Sequence, residues 1–127
     1  MTIRNVVSAP QAPKAIGPYS VAIQTEGFVF CSGQTGIDPT TGELVAADVE
    51  AQARQVLTNL QNVLEAAGTS LEKVVKTTVF LRDMADFAKM NAIYAEFFPS
   101  EHPARSTIAV AGLPKNALVE IEATALR

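Results

Sequence analysis

The stretch His102-Pro-Ala-Arg-Ser-Thr-Ile-Ala-Val-Ala-Gly-Leu-Pro-Lys-Asn-Ala-Leu-Val-Glu-Ile-Glu122 decides how this chain is read. It falls into two β-prone runs around the turn formers Gly112, Pro114 and Asn116, so it predicts two strands joined by a turn. Arg105 stands on the first strand and Glu120 on the second. Alternation puts Arg105, Thr107, Ala109 and Ala111 on one face, and Ser106, Ile108 and Val110 on the other. In the second strand Glu120, Glu122 and Thr124 share a face opposite Val119, Ile121, Ala123 and Ala125. If these are adjacent strands with aligned polar faces, Arg105 and Glu120 come close. Two readings then stand side by side. One is a cross-strand ion pair on a solvated face, worth ~0–1 kcal/mol. The other is a site in which the guanidinium grips a small carboxylate through two parallel N–H donors, while Glu120 acts on water or on a substrate proton. Glu122 lacks such a partner and reads as solvated.

Outward from that stretch, the chain reads β-β-β-α-β-α-β-β. Ile3 to Val7 is β-branched and predicts a short strand. Ala9 to Pro18 carries Pro10, Pro13 and Pro18, which cannot donate to a ladder, so it is a loop. Tyr19 to Cys31 predicts a hairpin about Thr25-Glu26-Gly27, its second strand Phe28–Cys31 apolar on both faces and ended by Ser32-Gly33-Gln34-Thr35-Gly36. Asp38-Pro39-Thr40-Thr41-Gly42 is a turn. Asp48 caps a helix whose Val49, Ala53, Val56, Leu57, Leu60, Val63, Leu64 and Ala67 recur at three- and four-residue steps, with polar residues on the other face and Gly68 ending it. Thr69 to Glu72 closes a short turn, and Val74 to Leu81 is a strand apolar on both faces. Met84 to Phe97 is a second helix with Phe87, Met90, Ile93, Tyr94 and Phe97 on its stripe, stopped by Pro99. Arg105 to Ala111 and Leu118 to Leu126 complete the list. Two helices against one face of a mixed sheet is the economical packing, an α+β sandwich. The doubly apolar strands need a cover on the sheet's other face, and no element is left to supply it. A second copy of the chain is the expected cover, hence a homo-oligomer.

At 127 residues the chain suits a single domain, residues 1–127. The formal net charge of −3 and the lack of any Lys/Arg run argue against a nucleic-acid binder that works by phosphate neutralisation. One cysteine, Cys31, excludes an internal disulfide and the usual zinc clusters, and fits a reducing, cytoplasmic setting. No signal peptide or membrane-spanning apolar run is expected.

Further residues have two readings each. Tyr19, after Gly17-Pro18, is a half-buried core residue or a capping hydroxyl. Cys31, in an apolar strand, reads as a buried inert thiol rather than a nucleophile. His102 has no second histidine near it and reads as a surface residue. Asn91 sits mid-helix, where asparagine is mildly unfavourable, and is either solvated or bonded to a nearby loop. Ser32-Gly33, at the end of a central strand, can present backbone groups to a ligand. No Gly-rich phosphate loop, HExxH or GxSxG occurs.

Pro103-Ala104-Arg105-Ser106, Val110-Ala-Gly-Leu-Pro114 and Val119-Glu-Ile-Glu-Ala123 together resemble the C-terminal signature of the Rid family, the reactive intermediate deaminases or YjgF-type proteins. Ala15-Ile-Gly-Pro-Tyr19, Ser32-Gly33-Gln34, Gln52-Ala-Arg-Gln55, Asn62 to Gly68, Val75-Lys-Thr-Thr-Val79 and Asn91 to Phe98 resemble the family in order along nearly the whole chain. The arginine motif marks the deaminating subgroup. The resemblance implies a chorismate-mutase-like (YjgF-type) fold and a homotrimer with clefts between subunits. It implies hydrolysis of 2-aminoacrylate-type enamines and imines, such as 2-iminobutanoate and 2-iminopropanoate, to 2-oxo acids and ammonia, the enamines being released by pyridoxal-phosphate dehydratases. It implies no metal and no organic cofactor. It assigns Arg105 to the substrate carboxylate, Glu120 to the attacking water, and Tyr19, Ser32, Gly33 and Asn91 to the cleft lining, with Thr107 at a position that is often Cys in the family. The segment from Phe98 to Pro103 is also shorter than in some members. The alternatives are a non-catalytic binder of small carboxylates or 2-oxo acids, and a translation-inhibiting ribonuclease.

Overall fold

The structure, a computed structural model, describes residues 2–127. Eight main elements follow the predicted order: β1 (Asn5–Val6), β2 (Ala22–Gln24), β3 (Phe28–Thr35), α1 (Val49–Ala66), β4 (Val74–Leu81), α2 (Phe87–Phe97), β5 (Ala104–Ala109) and β6 (Val119–Leu126). The strands form one six-stranded sheet in the order β1-β2-β3-β6-β4-β5. All neighbours are antiparallel except β4 and β5, which are parallel. Parallel neighbours need a crossover, and α2 supplies it.

α1 starts where the Asp48 carboxylate accepts from the Glu50 N–H at 2.9 Å, satisfying a free first-turn donor. It ends at Ala67, after which Gly68 takes φ +82°, the left-handed conformation that glycine adopts without a Cβ penalty. The inward stripe Ala53, Val56, Leu57, Leu60, Val63 and Leu64 is wholly buried against the sheet. Each of its leucines contributes ~1.5–3 kcal/mol of transfer free energy. Across from it, Val29, Val79, Leu81, Val119, Ile121 and Ala125 are buried from the sheet side. The opposite face of the sheet has no cover within the chain: Phe28, Phe30, Ile108 and Leu126 are exposed there.

Several expectations need correction. The first strand shrinks from Ile3–Val7 to Asn5–Val6, because its pairing with β2 lasts two residues. Tyr19 to Val21 lies outside β2. β3 does not end at Cys31. It continues through Ser32-Gly33 by an irregularity between Cys31 and Gln34, which leaves both residues without a register partner on β6. Met84–Asp86 is a 3-10 turn ahead of α2, and β5 stops at Ala109. The outer face of α1 does not hold all its polar residues, since Gln52 and Asn59 are buried.

The largest correction concerns the opening stretch. β5 and β6 are not neighbours, because β4 lies between them. The connecting segment passes over the end of β4, where the Val110 N–H donates to Leu81 O at 2.9 Å and the Arg82 N–H donates to Leu118 O at 3.1 Å. β6 then runs back between β3 and β4, where its buried residues Val119, Ile121 and Ala123 pair with Leu81, Val79 and Thr77 of β4, and Ile121 and Ala123 also with Gln34 and Cys31 of β3.

Candidate functional site

Glu120 sits on the open face of the sheet, half-buried, directly across from Phe80 on β4 and Thr35 on β3. The irregularity in β3 brings Gly33 against it. A Cβ built at Gly33 would overlap the carboxylate, with Glu120 Cδ and Cγ only 2.8 and 2.9 Å away, so glycine here lets the Glu120 side chain keep its place. Beside them the Ser32 hydroxyl donates to Ser20 O at 2.6 Å. The Tyr19 hydroxyl accepts from the Ile16 N–H at 3.2 Å, which is the capping role, and the ring is half exposed rather than in the core. Glu120, Tyr19, Ser32 and Gly33 line one cavity of ≈ 380 Å³, together with Lys14, Ile16, Ile37 and Pro114. Glu122 lines the same cavity and is exposed. Burial first, then the charge of Glu122, pushes the Glu120 carboxyl above the ordinary glutamate value, so it holds a proton more readily than a free side chain.

Arg105 lies elsewhere. Its register partner on β4 is Thr77, a residue of the helix-covered face. There the guanidinium carbon stands 4.7 Å from the Tyr94 ring centre and 5.7 Å from that of Phe87, both on α2. Tyr94 is held in turn by a 2.7 Å hydrogen bond between its hydroxyl and that of Thr77. Both rings lie within cation–π reach of the guanidinium. Arg54–Glu96 is the one ion pair among the described residues, so no carboxylate of this chain occupies the Arg105 donors. Arg105 shares a cavity of ≈ 330 Å³ with Asn91, Tyr94, His102 and Pro103. Asn91 Oδ1 and Thr107 Oγ1 are buried on this side without a hydrogen-bond partner.

The structure therefore divides the predicted residues into two groups. Glu120, Tyr19, Ser32 and Gly33 come together on the open face. Arg105 and Asn91 come together, with Thr107 two residues along β5, on the helix face at the sheet edge. Arg105 and Glu120 do not meet: they are two strands apart, on opposite faces, and about three residues out of register, roughly 14 Å between Cα atoms at ordinary strand spacings. The expected cross-strand approach fails for this reason, and the ion-pair reading fails with it. Cys31 is buried, and burial pushes its thiol up to about 12, as an inert thiol requires. Among the described residues no cluster of three or more His, Cys, Asp or Glu side chains is close enough to hold a metal ion, and no helix is long and apolar enough to cross a membrane.

Sequence reasoning missed two features. Tyr94 reads as core because it lies on the α2 stripe, and only the fold shows its ring beneath Arg105. Gln52 and Asn59 pass as surface residues, although their seven-residue spacing places both within the apolar stripe of α1, a signal that was available.

Residues 9–127 match the family described as Endoribonuclease L-PSP. The RutC family protein PH0854 of Pyrococcus horikoshii is 53% identical over 125 residues, covering 98% of this chain and 99% of that one. A 2-iminobutanoate/2-iminopropanoate deaminase of Mus musculus is 49% identical, covering 98% and 93%. Among solved structures, a putative endoribonuclease L-PSP from Entamoeba histolytica superposes with a TM-score of 0.95 at 52% identity, covering 98% and 99%. TdcF of E. coli, solved with bound serine, superposes with a TM-score of 0.93 at 43% identity, covering 97% and 98%. The chain belongs to the Endoribonuclease L-PSP family, the family of the Rid and YjgF-type proteins that its sequence resembles.

Proposed function

We propose that the protein hydrolyses the C=N bond of small 2-imino acids, of the 2-iminopropanoate and 2-iminobutanoate class, releasing ammonia and a 2-oxo acid at sites shared between the copies of a homotrimer. The observation that carries this reading is the guanidinium of Arg105, 4.7 Å from the Tyr94 ring centre and free of any carboxylate of its own chain. Such a group is a receptor for the carboxylate of a small acid. The relative named as an iminobutanoate/iminopropanoate deaminase supports the reaction class, and a relative that holds serine supports a small amino-acid-like ligand.

Chemically, Arg105 orients the substrate through its carboxylate, with Asn91 and Thr107 beside it. Glu120 takes a proton from water as the water oxygen bonds to the imine carbon, forming a carbinolamine. With the imine reacting in its protonated form, the proton held by Glu120 passes to the carbinolamine nitrogen, the C–N bond breaks with its electron pair leaving on ammonia, and the hydroxyl proton goes to Glu120 as the carbonyl forms. An imine carbon is already electrophilic, so orientation and one general base supply the catalysis. Tyr19, Ser32 and Gly33 shape the Glu120 side. No metal or organic cofactor enters these steps. Because one chain holds its two half-sites on opposite faces, a second copy must bring its own half to complete either one. The exposed Phe28, Phe30, Ile108 and Leu126 give the open face a reason to be covered by such a copy. A cytoplasmic setting, where pyridoxal-phosphate dehydratases release such enamines, suits a chain whose single cysteine is buried. A net charge of −3 offers little to RNA.

The experiment generates 2-aminoacrylate with a dehydratase and follows its decay. Wild type accelerates it, and Arg105→Ala and Glu120→Gln each do not. Unfolding and reassembling the two variants together restores roughly a quarter of wild-type activity, because in random closed assemblies about one interface in four pairs an intact Arg105 with an intact Glu120. No acceleration by wild type refutes the activity. Two inactive variants with no rescue refute the shared site.

A further inference from the structure

The Glu120 cavity is built on two strand ends: β3 where it leaves the sheet at Thr35, and β6 where it enters at Val119. Both ends are tied to α1 by side chains. Gln52, 1% exposed, accepts from the Leu118 N–H at 2.8 Å through Oε1 and donates from Nε2 to Ala46 O. Asn59, fully buried one helical stretch later, donates from Nδ2 to Thr35 O at 3.3 Å and to Ile37 O at 2.9 Å. Its Oδ1 accepts from Gln55 Nε2 at 2.8 Å, which fixes the orientation of the amide. Between these ties Gly36 packs so closely that a Cβ there would stand 2.9 Å from Gln52 Cα, and the Val45 N–H donates to Gly36 O at 3.0 Å.

These partners sit close to the candidate base. Thr35 is the register partner of Glu120, and Leu118 is two residues ahead of Glu120, immediately before β6. Thr35 and Ile37 line the Glu120 cavity. Two buried amides on an otherwise apolar stripe are a poor choice for packing, since each polar atom must find a partner or lose its hydration uncompensated. Here all four polar atoms of the two amides have a partner, and three of the four bond to backbone, of Leu118, of Ala46, and of Thr35 and Ile37. We infer that Gln52 and Asn59 are positioning residues, which set the height and direction of the Glu120 carboxylate by locking the ends of β3 and β6 to α1. The role presupposes the hydrolytic use of Glu120 proposed above. Neither amide touches substrate. They act on the base alone and leave the Arg105 half of the site unaltered.

That division supplies the test. Steady-state imine hydrolysis is measured for wild type, Gln52→Met and Val63→Ala, the last a core truncation on the same helix that breaks no hydrogen bond to either strand end. Gln52→Met, close in volume but without either bond, lowers kcat by roughly tenfold or more while KM stays within about twofold, since carboxylate capture is spared. Val63→Ala lowers the melting temperature but leaves kcat within about twofold. If Gln52→Met is recovered unfolded, Gln52→Glu decides, because it keeps the acceptor for Leu118 N–H and sets an oxygen in place of the donor to Ala46 O. Its kcat then falls by a few-fold at constant KM. Equal loss of kcat in Gln52→Met and Val63→Ala, or full kcat in the Gln52 variant that folds, overturns the positioning role alone. A wild type without turnover overturns the parent reading and this role with it.

Discussion

Gly33 and Gly36 stand three residues apart on one strand end, and adding a methyl group to each should break different things. At Gly33 the new Cβ would meet only the far end of the Glu120 side chain, at 2.8 Å from Cδ and 2.9 Å from Cγ. Ordinary carbon contact is about 3.5–4.0 Å, so the carboxylate must swing away by about 1 Å. That movement is inexpensive to the fold. Gly33 does not occupy the left-handed region, so alanine is tolerated by the backbone and restricts the unfolded chain, worth ~0.4–1 kcal/mol in favour of the folded state. For catalysis, a misplacement of about 1 Å costs on the order of 10²-fold, or about 2.7 kcal/mol of activation free energy. At Gly36 the obstacle is the backbone of α1, with Gln52 Cα at 2.9 Å and its carbonyl oxygen at 3.0 Å. A packed helix cannot turn aside, so Gly36→Ala destabilises by ~1–3 kcal/mol. Thermal denaturation and imine hydrolysis of both variants separate the two effects. Gly33→Ala melts close to wild type and loses about two decades of kcat/KM, whereas Gly36→Ala melts clearly lower. Gly33→Ala with activity within about threefold of wild type, or less stable than Gly36→Ala, refutes the reasoning.

Other expectations follow from the same geometry. Glu122→Gln removes the neighbouring charge that helps raise the Glu120 carboxyl, so the acidic limb of the pH–rate profile moves to lower pH; an unmoved limb would show that Glu122 does not tune the base. In an Arg105→Ala background, which keeps any neighbouring guanidinium out of the comparison, Glu120→Gln raises the melting temperature at neutral pH. The sign follows from the raised folded-state pKa: the native state favours protonated Glu120, that contribution is lost as pH rises through the folded value, and a neutral amide does not lose it. The gain should vanish once the pH falls below the ordinary glutamate value of about 4.3. Tyr94→Phe removes the 2.7 Å bond to Thr77 and leaves a buried hydroxyl without its partner, which lowers stability by ~1–3 kcal/mol in denaturant titrations.

Local chemistry made much of the fold legible. The Asp48 cap, the three- and four-residue apolar steps and Gly68 define α1 to within a residue or two, because each signal acts within a few turns of chain. β4 and the α2 stripe were readable on the same grounds. The irregularity at Ser32-Gly33 was not, since a strand that continues past a bulge and a strand that ends at a Ser-Gly pair look alike until its partner is known. Tyr94 was placed in the core correctly but without its second duty, because an α-helical stripe specifies a face and says nothing of which charge will lie over a ring. Gln52 and Asn59 were hidden by their polarity, although their spacing gave them away.

Taken by itself, the sequence determined the elements and the two-layer packing, because periodicity, caps and turn residues act over short distances along the chain. Only the tertiary structure decided that Arg105 and Glu120 stand on opposite faces with β4 between them. Strand order is set by which apolar edges pair across dozens of residues, and the turn between β5 and β6 carries no mark of whether it joins neighbours or steps over a third strand. In this protein that undetermined choice separates a cross-strand ion pair from two separate clusters on opposite faces of the sheet.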